Sequence, residues 1–365
     1  MSLEKEIEAG RQDVYAEGYD MSFGELVSLY KNKELIINPA YQRFFRWEIS
    51  QKTKFIESIL LRIPVPPIFV FQRHDGVWEL IDGLQRLSTV FEFMGILRKE
   101  EDKMYPASIL EGTNLLPSLG GKQWDNETDE DNSLTKSQQI EIKRTRIRVE
   151  ILQKGSSPNA KFELFQRLNT GGTPLSEQEV RNCVMIMIDP AFYDWVEGLS
   201  KDSAFSGTVE LTDTADVKRK DMEYALRFMT FMNIPYTSGL DVHEYLDSAA
   251  IKLATDKTLD RVAELKRFKE TFTLIESSLG SGAFRRFDGA THSGQFLTSI
   301  FEVLAVGVAS NLKAIQAMGD SRAFIKSKAQ ALGAEEFYKK NTGAGVRGTT
   351  RLSNLLKWGV EYLKP

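Results

Sequence analysis

The ten residues IDGLQRLSTV, positions 81–90, close one kind of local structure and open another. They follow VWELID, which with PIFVFQ flanks His74-Asp75-Gly76 and reads as a β-hairpin. After Asp82 the apolar residues recur at helical spacing to about Leu97, so a strand is expected to run straight into a helix. Asp82 could cap that helix by accepting backbone N–H bonds, and Gly83 permits angles or a close approach that a side chain would block. Helix N-termini also attract anions, through unpaired N–H groups and the positive end of the dipole. Arg86, four residues after Asp82, returns over the first turn. A guanidinium there could grip a phosphate, with Asp82 holding a metal or a water. Two readings thus compete: a helix cap with a surface arginine, or a site for a phosphorylated ligand.

Two flanking stretches bear on that choice. NPAYQRFFRWE, residues 38–48, interleaves Arg43 and Arg46 with Tyr41, Phe44, Phe45 and Trp47. Such a pattern can stack on bases and bind phosphates, or it can send its rings into a core and pair its arginines with carboxylates. FQRLNTGGTPLSEQEVRN, residues 165–182, is largely explained as a helix-loop-helix joint. Asn169 and the glycines end one helix, Pro174 blocks continuation, and Ser176 with Glu179 forms a capping box for the next. Only Asn169, Thr170, Gly171 and Gly172 remain as ligand contacts.

Around these motifs, residues 1–21 read as a loose or helical lead-in, and Ser22 with Glu25 opens a short helix. A second helix spans 50–62 and is broken by IPVPP. Residues 100–140 are the least ordered-looking part, with an acidic block at 125–131 that reads as a solvated loop. RIRVEIL, 146–152, alternates as a strand, and KFELFQRL follows as a helix. From Ser176 onward the strand signal fades and 3.6-residue periodicity takes over. Several patterns fail: GAGVRG (343–348) has no preceding strand, GGKQ lacks the rest of a P-loop, and HEYLD lacks a second histidine. His74, His243 and His292 are scattered, and a lone Cys183 makes a structural zinc site improbable.

Composition adds outer bounds. The 365 residues are 42% hydrophobic and 27% charged, with a formal net charge of −4, as expected of a globular protein without a global basic field. One cysteine, no long apolar run and a charged N-terminus lead to the expectation of a cytoplasmic protein without a membrane partner.

Taken in order, Tyr41-Gln42-Arg43 with Trp47, IPVPP, Asp82-Gly83-Leu84-Gln85-Arg86 and Asn169–Leu175 resemble domain-of-unknown-function family 262, the N-terminal domain of GmrSD-type restriction enzymes. RKDMEYALRF, 219–228, is similar to a segment often seen downstream in such proteins. The resemblance implies an α+β, ParB/sulfiredoxin-like domain over 22–185 with a small mixed sheet, then an all-helical domain over 186–365. It also implies nucleoside triphosphate binding and hydrolysis in a system that restricts foreign DNA. Asp82, Gln85 and Arg86 would be catalytic, with Asp82 holding Mg²⁺. Tyr41, Gln42, Arg43, Arg46, Gly83, Asn169, Thr170, Gly171 and Gly172 would bind nucleotide. Leu84 stands where the family pattern has glutamine, which puts turnover in question. The C-terminal half carries no His-Asn-His pattern, so DNA cutting is expected of a separate nuclease chain. A nuclease and a non-catalytic DNA-binding adaptor are the competing classes.

Overall fold

In the computed structural model, the described residues are 2–5, 7, 16–37, 47–100, 103–126, 128–153, 167, 176–211, 219–237 and 239–365. The chain divides into two compact units, 1–173 and 174–365.

The first unit is built on a five-stranded mixed sheet. In chain order its elements are β1 (Ala16–Ser22), α1 (Phe23–Lys31), β2 (Leu35–Ile36), α2 (Ile49–Leu60), β3 (Ile68–Gln72), β4 (Trp78–Asp82) and α3 (Leu84–Phe93). A small ladder of β5 (Arg98–Glu100) with β6 (Lys103–Met104) follows, then α4 (Lys136–Arg144) and β7 (Arg146–Leu152). The strand order is β1-β7-β3-β4-β2. β1 runs antiparallel to β7, β7 parallel to β3, β3 antiparallel to β4, and β4 parallel to β2.

Alternation in β7 buries Ile147, Val149 and Ile151 on one face. With Ile68, Val70 and Leu80 they meet Phe23, Phe55, Ile56, Ile59, Leu87 and Phe91 from the helices, which forms the core of this unit. The capping boxes at Ser22/Glu25 and Ser176/Glu179 form as their spacing predicts.

Three expectations need correcting. The lead-in at 16–22 is a strand, because seven residues pair in continuous register with β7, and a partner strand imposes extended backbone that local pattern does not announce. Helix α3 stops at Phe93 rather than near Leu97. Gly95 takes φ +68°, and the N–H groups of Ile96 and Leu97 both turn back to the Phe91 carbonyl. Residues 103–126 and 128–140 are an ordered excursion. Leu110, Leu119 and Leu134 are buried in the core, and Trp124 meets the edge of Phe93 at 5.8 Å. Asp129, from the acidic block, caps a turn of 3₁₀ helix at Glu130–Asn132.

The second unit consists of helices α5 (Glu177–Ile188), α6 (Pro190–Ser200), α7 (Ser203–Thr208), α8 (Lys220–Asn233), α9 (Val242–Thr255), α10 (Arg261–Leu279), α11 (Thr298–Ser310), α12 (Leu312–Gln316), α13 (Ser321–Leu332), α14 (Glu336–Thr342) and α15 (Gly348–Tyr362). A two-residue ladder, β8 (Arg286–Phe287) with β9 (His292–Ser293), is its β structure among the described residues. Phe205, Phe228, Phe268 and Phe272 pack ring to ring at its centre. Among the described residues no helix is long and apolar enough to cross a membrane.

Candidate functional site

The end of β4 is shaped by an irregular ladder. Val70 faces Leu80, but Phe69 faces Asp82, so Ile81 is left over as a bulge residue. A bulge bends and twists its strand and re-aims the residues beside it. Asp82 is the last strand residue, and Gly83 follows with φ +99°, ψ 13°. A Cβ at position 83 would overlap the Ile68 side chain, so both conformation and space demand glycine here.

The cap expected of Asp82 is absent. Gly83 is the N-cap residue of α3, its carbonyl accepts from Leu87 N–H at 2.8 Å, and no side chain caps the helix. The carboxylate instead accepts from Arg86, whose Nη2 lies 2.5 Å from Asp82 Oδ2. The reason is the left-handed glycine: it takes the cap position and leaves the aspartate in the strand. The two side chains are 34% and 16% exposed, so this ion pair lies at the surface without being fully solvated. Arg86 Nε is buried and has no hydrogen-bond partner among the described residues. An unmade bond of that kind costs about 1–3 kcal/mol, a penalty that an anion seated beside the guanidinium would relieve.

Gln85 links this turn to the second motif. Its Oε1 accepts from the Trp47 backbone N–H at 3.1 Å, and the Trp47 ring meets Phe55 edge-on at 5.6 Å. The end of the 38–48 stretch is therefore fixed to the first turn of α3, although 38 positions separate the two residues. Tyr41, Gln42, Arg43, Arg46, Asn169, Thr170, Gly171 and Gly172 lie outside the described residues. Leu84 is half-buried and packs against the core. Among the described residues no group of three or more His, Cys, Asp or Glu could hold a metal, so a cation at Asp82 would draw most of its ligands from a phosphate and water, as Mg²⁺ commonly does.

A second charged assembly, which the sequence reading does not identify, lies inside the helical unit. Fully buried Arg181 donates from Nε to Asp247 at 2.6 Å and from Nη1 to Gln178 at 3.2 Å, and its Nη2 lies 3.0 Å from His243 Nδ1. Glu223 accepts from Arg227 and Lys220 at 2.8 and 2.7 Å, and buried Glu302 takes both Nε and Nη2 of Arg351. Burial favours the protonated form of Glu223, but Arg227, Lys220 and Arg181 outweigh it and pull its pKa down to about 2. Burial dominates at Asp247, which is pushed up to about 6 despite its bond to Arg181. The available signal was the spacing of Lys220, Glu223 and Arg227, which places them on one face of α8 within RKDMEYALRF.

Residues 23–186 match the family model of the GmrSD restriction endonuclease, N-terminal domain. The match contains the sheet from α1 to β7 with the Asp82–Arg86 turn, and it ends within α5. No curated protein and no solved structure matches the chain. The match covers somewhat less than half of the chain and supports a role in restriction or phage defence.

Proposed function

We propose that the Asp82–Arg86 turn binds the phosphates of a nucleoside triphosphate and serves its hydrolysis in a DNA-restriction system. The observation that carries this reading is the state of Arg86: one nitrogen is held by Asp82, while Nε is buried beside it without a partner among the described residues. A phosphate oxygen would complete that guanidinium with a charge-assisted bond. Asp82 Oδ2 is engaged by Arg86, and its second oxygen would hold Mg²⁺, which when bound offsets charge on the phosphate oxygens. Gln85, fixed by the Trp47 backbone, would orient the attacking water. DNA and a separate nuclease chain are the partners that this reading assigns.

A second reading, a nucleotide sensor that binds without turnover, is favoured by Leu84, which packs against the core and has no amide to direct a water. Phosphate release across the common nucleotides with Mg²⁺ or Mn²⁺, with and without DNA, separates the two. Arg86→Ala should weaken nucleotide binding by about 1.5–3 kcal/mol, the range for a hydrogen bond to a charged group. That is roughly a 10- to 150-fold loss of affinity, and Arg86→Lys should restore only part of it. Unchanged affinity in the alanine variant, measured by calorimetry, would remove the phosphate assignment.

A further inference from the structure

At the C-terminal end of the helical unit, five side chains from three helices stand in one row. Lys328 of α13 lies 5.5 Å from the ring centroid of Phe324 and 4.6 Å from that of Tyr362. Tyr362 stacks on Trp358 within α15 at 4.6 Å and 19°. Trp358 stacks on Phe337 of α14 at 5.4 Å and 26°. The row is not a core: Phe337, at its end, is 41% exposed, and Trp358 and Tyr362 are half-buried. The Tyr362 hydroxyl donates to the Lys328 carbonyl at 2.7 Å, which ties α15 to α13 and holds the row in place.

Charge distinguishes this region from the rest of the chain. Residues 321–365 hold nine lysines and arginines against three glutamates, a formal +6; with −4 for the whole chain, the remainder stands at −10. Lys339 and Lys340 follow Phe337 in α14, Lys357 precedes Trp358, and all three are exposed.

We infer that this face of α13, α14 and α15 binds single-stranded nucleic acid, with an unstacked base extending the row at Phe337 and the lysines meeting the phosphates. Every base has a π-face, and a preformed stack offers the next ring a platform without ordering new side chains. A positive region on an acidic chain attracts a polyanion locally and repels it elsewhere. An acidic protein segment would satisfy the lysines but leave the aromatic row unused. The inference goes beyond the nucleotide reading above and concerns different residues, so each can fail alone.

The test is fluorescence anisotropy of a labelled oligodeoxythymidine against the full chain, without added nucleoside triphosphate and over a range of salt. The wild type should bind, and binding should weaken as salt rises. Phe337→Leu keeps an apolar side chain and removes the ring; it should lose about 5- to 150-fold in affinity, the range for one stacked base. Phe337→Trp should bind at least as well as wild type, and Lys339→Glu/Lys340→Glu should flatten the salt dependence. Thermal melts by circular dichroism accompany each variant, and the Phe337→Trp result keeps the assignment decidable if Phe337→Leu is unstable. Absence of binding by the wild type would overturn the inference. So would equal binding by Phe337→Leu, or full displacement of the oligonucleotide by polyglutamate with no dependence on the ring at 337.

Discussion

At the Asp82–Arg86 turn a guanidinium meets one carboxylate, both side chains still touch solvent, and the buried Nε has no partner among the described residues. Around Arg181 solvent is excluded and the guanidinium meets Asp247, Gln178 and His243, with Glu223 at 3.8 Å. The chemistry is the same and the energetic position is opposite. A partly exposed i,i+4 pair contributes about 1 kcal/mol, so a ligand can replace it at little cost to the fold. A buried pair has already lost its hydration, and removing one partner strands the other. Among the described residues Arg86 keeps a buried Nε without a partner, whereas Arg181 is engaged through Nε, Nη1 and Nη2.

The sharpest way to break this contrast is to remove each guanidinium in turn. Arg181→Met should destabilise the protein by about 3–5 kcal/mol, as expected when a buried charge loses its partner, whereas Arg86→Met should cost no more than about 1 kcal/mol. Urea unfolding checks both, and similar losses would show that the two arginines play the same role.

Acidity provides a slightly smaller effect with a defined sign. The pKa of Glu223 is lowered in the folded protein, so its stabilisation is present above the ordinary carboxylate value and lost as pH falls from about 4.5 towards about 2. Glu223→Gln should therefore be less stable at neutral pH by on the order of 3 kcal/mol, with the deficit shrinking across that window. Asp247 acts the other way: its raised pKa gives stability that is full below pH about 4 and lost as pH rises through about 6. Asp247→Asn should remove that second limb. Melting temperatures measured against pH distinguish the two, and parallel curves would refute the opposed signs.

Backbone geometry at the turn comes next. Gly83→Ala forces a Cβ into a left-handed position already filled by Ile68, and a loss of about 1–3 kcal/mol is expected. If the turn is the site, nucleotide binding should fall further than stability does. A variant that melts like wild type would mean that the turn relaxes freely. The smallest effect should come from Leu84→Gln, which exchanges half-buried apolar contact for an amide. A loss of about 1 kcal/mol is expected, and phosphate release should rise or hold level. A fall in release at unchanged stability would show that the amide is harmful in this context.

Local chemistry was legible in the sequence, and partnership across the chain was not. The capping boxes at Ser22 and Ser176, the hairpin around Asp75-Gly76 and the strand-to-helix junction at Asp82 each depend on residues within a few positions of one another. The strand at 16–22 was missed because AEGYDMS offers little alternation and is extended only through β7. Arg181 and Glu302 were missed because a charged residue in a helix reads as a solvated face until its partners, 49 to 66 positions away, are brought to it. At the site, the Asp82–Arg86 spacing predicted their proximity, but not that the aspartate would bind the arginine instead of capping the helix.

The pairing of β1 with β7 also bears on synthesis. Ser22 pairs with Arg146 and Ala16 with Leu152, spans of 124 and 136 positions. β7 also supplies the parallel neighbour of β3, so it is the strand that joins β1 to the rest of the sheet. A nascent chain released from the ribosome N-terminus first therefore carries β1 and β3 before their common neighbour exists. Closure of loops this long makes such pairing slow and leaves strand edges open meanwhile. Folding of the first unit is thus gated by the emergence of one seven-residue segment, and a ribosome stalled before residue 146 would display an unfinished sheet that a chaperone could recognise.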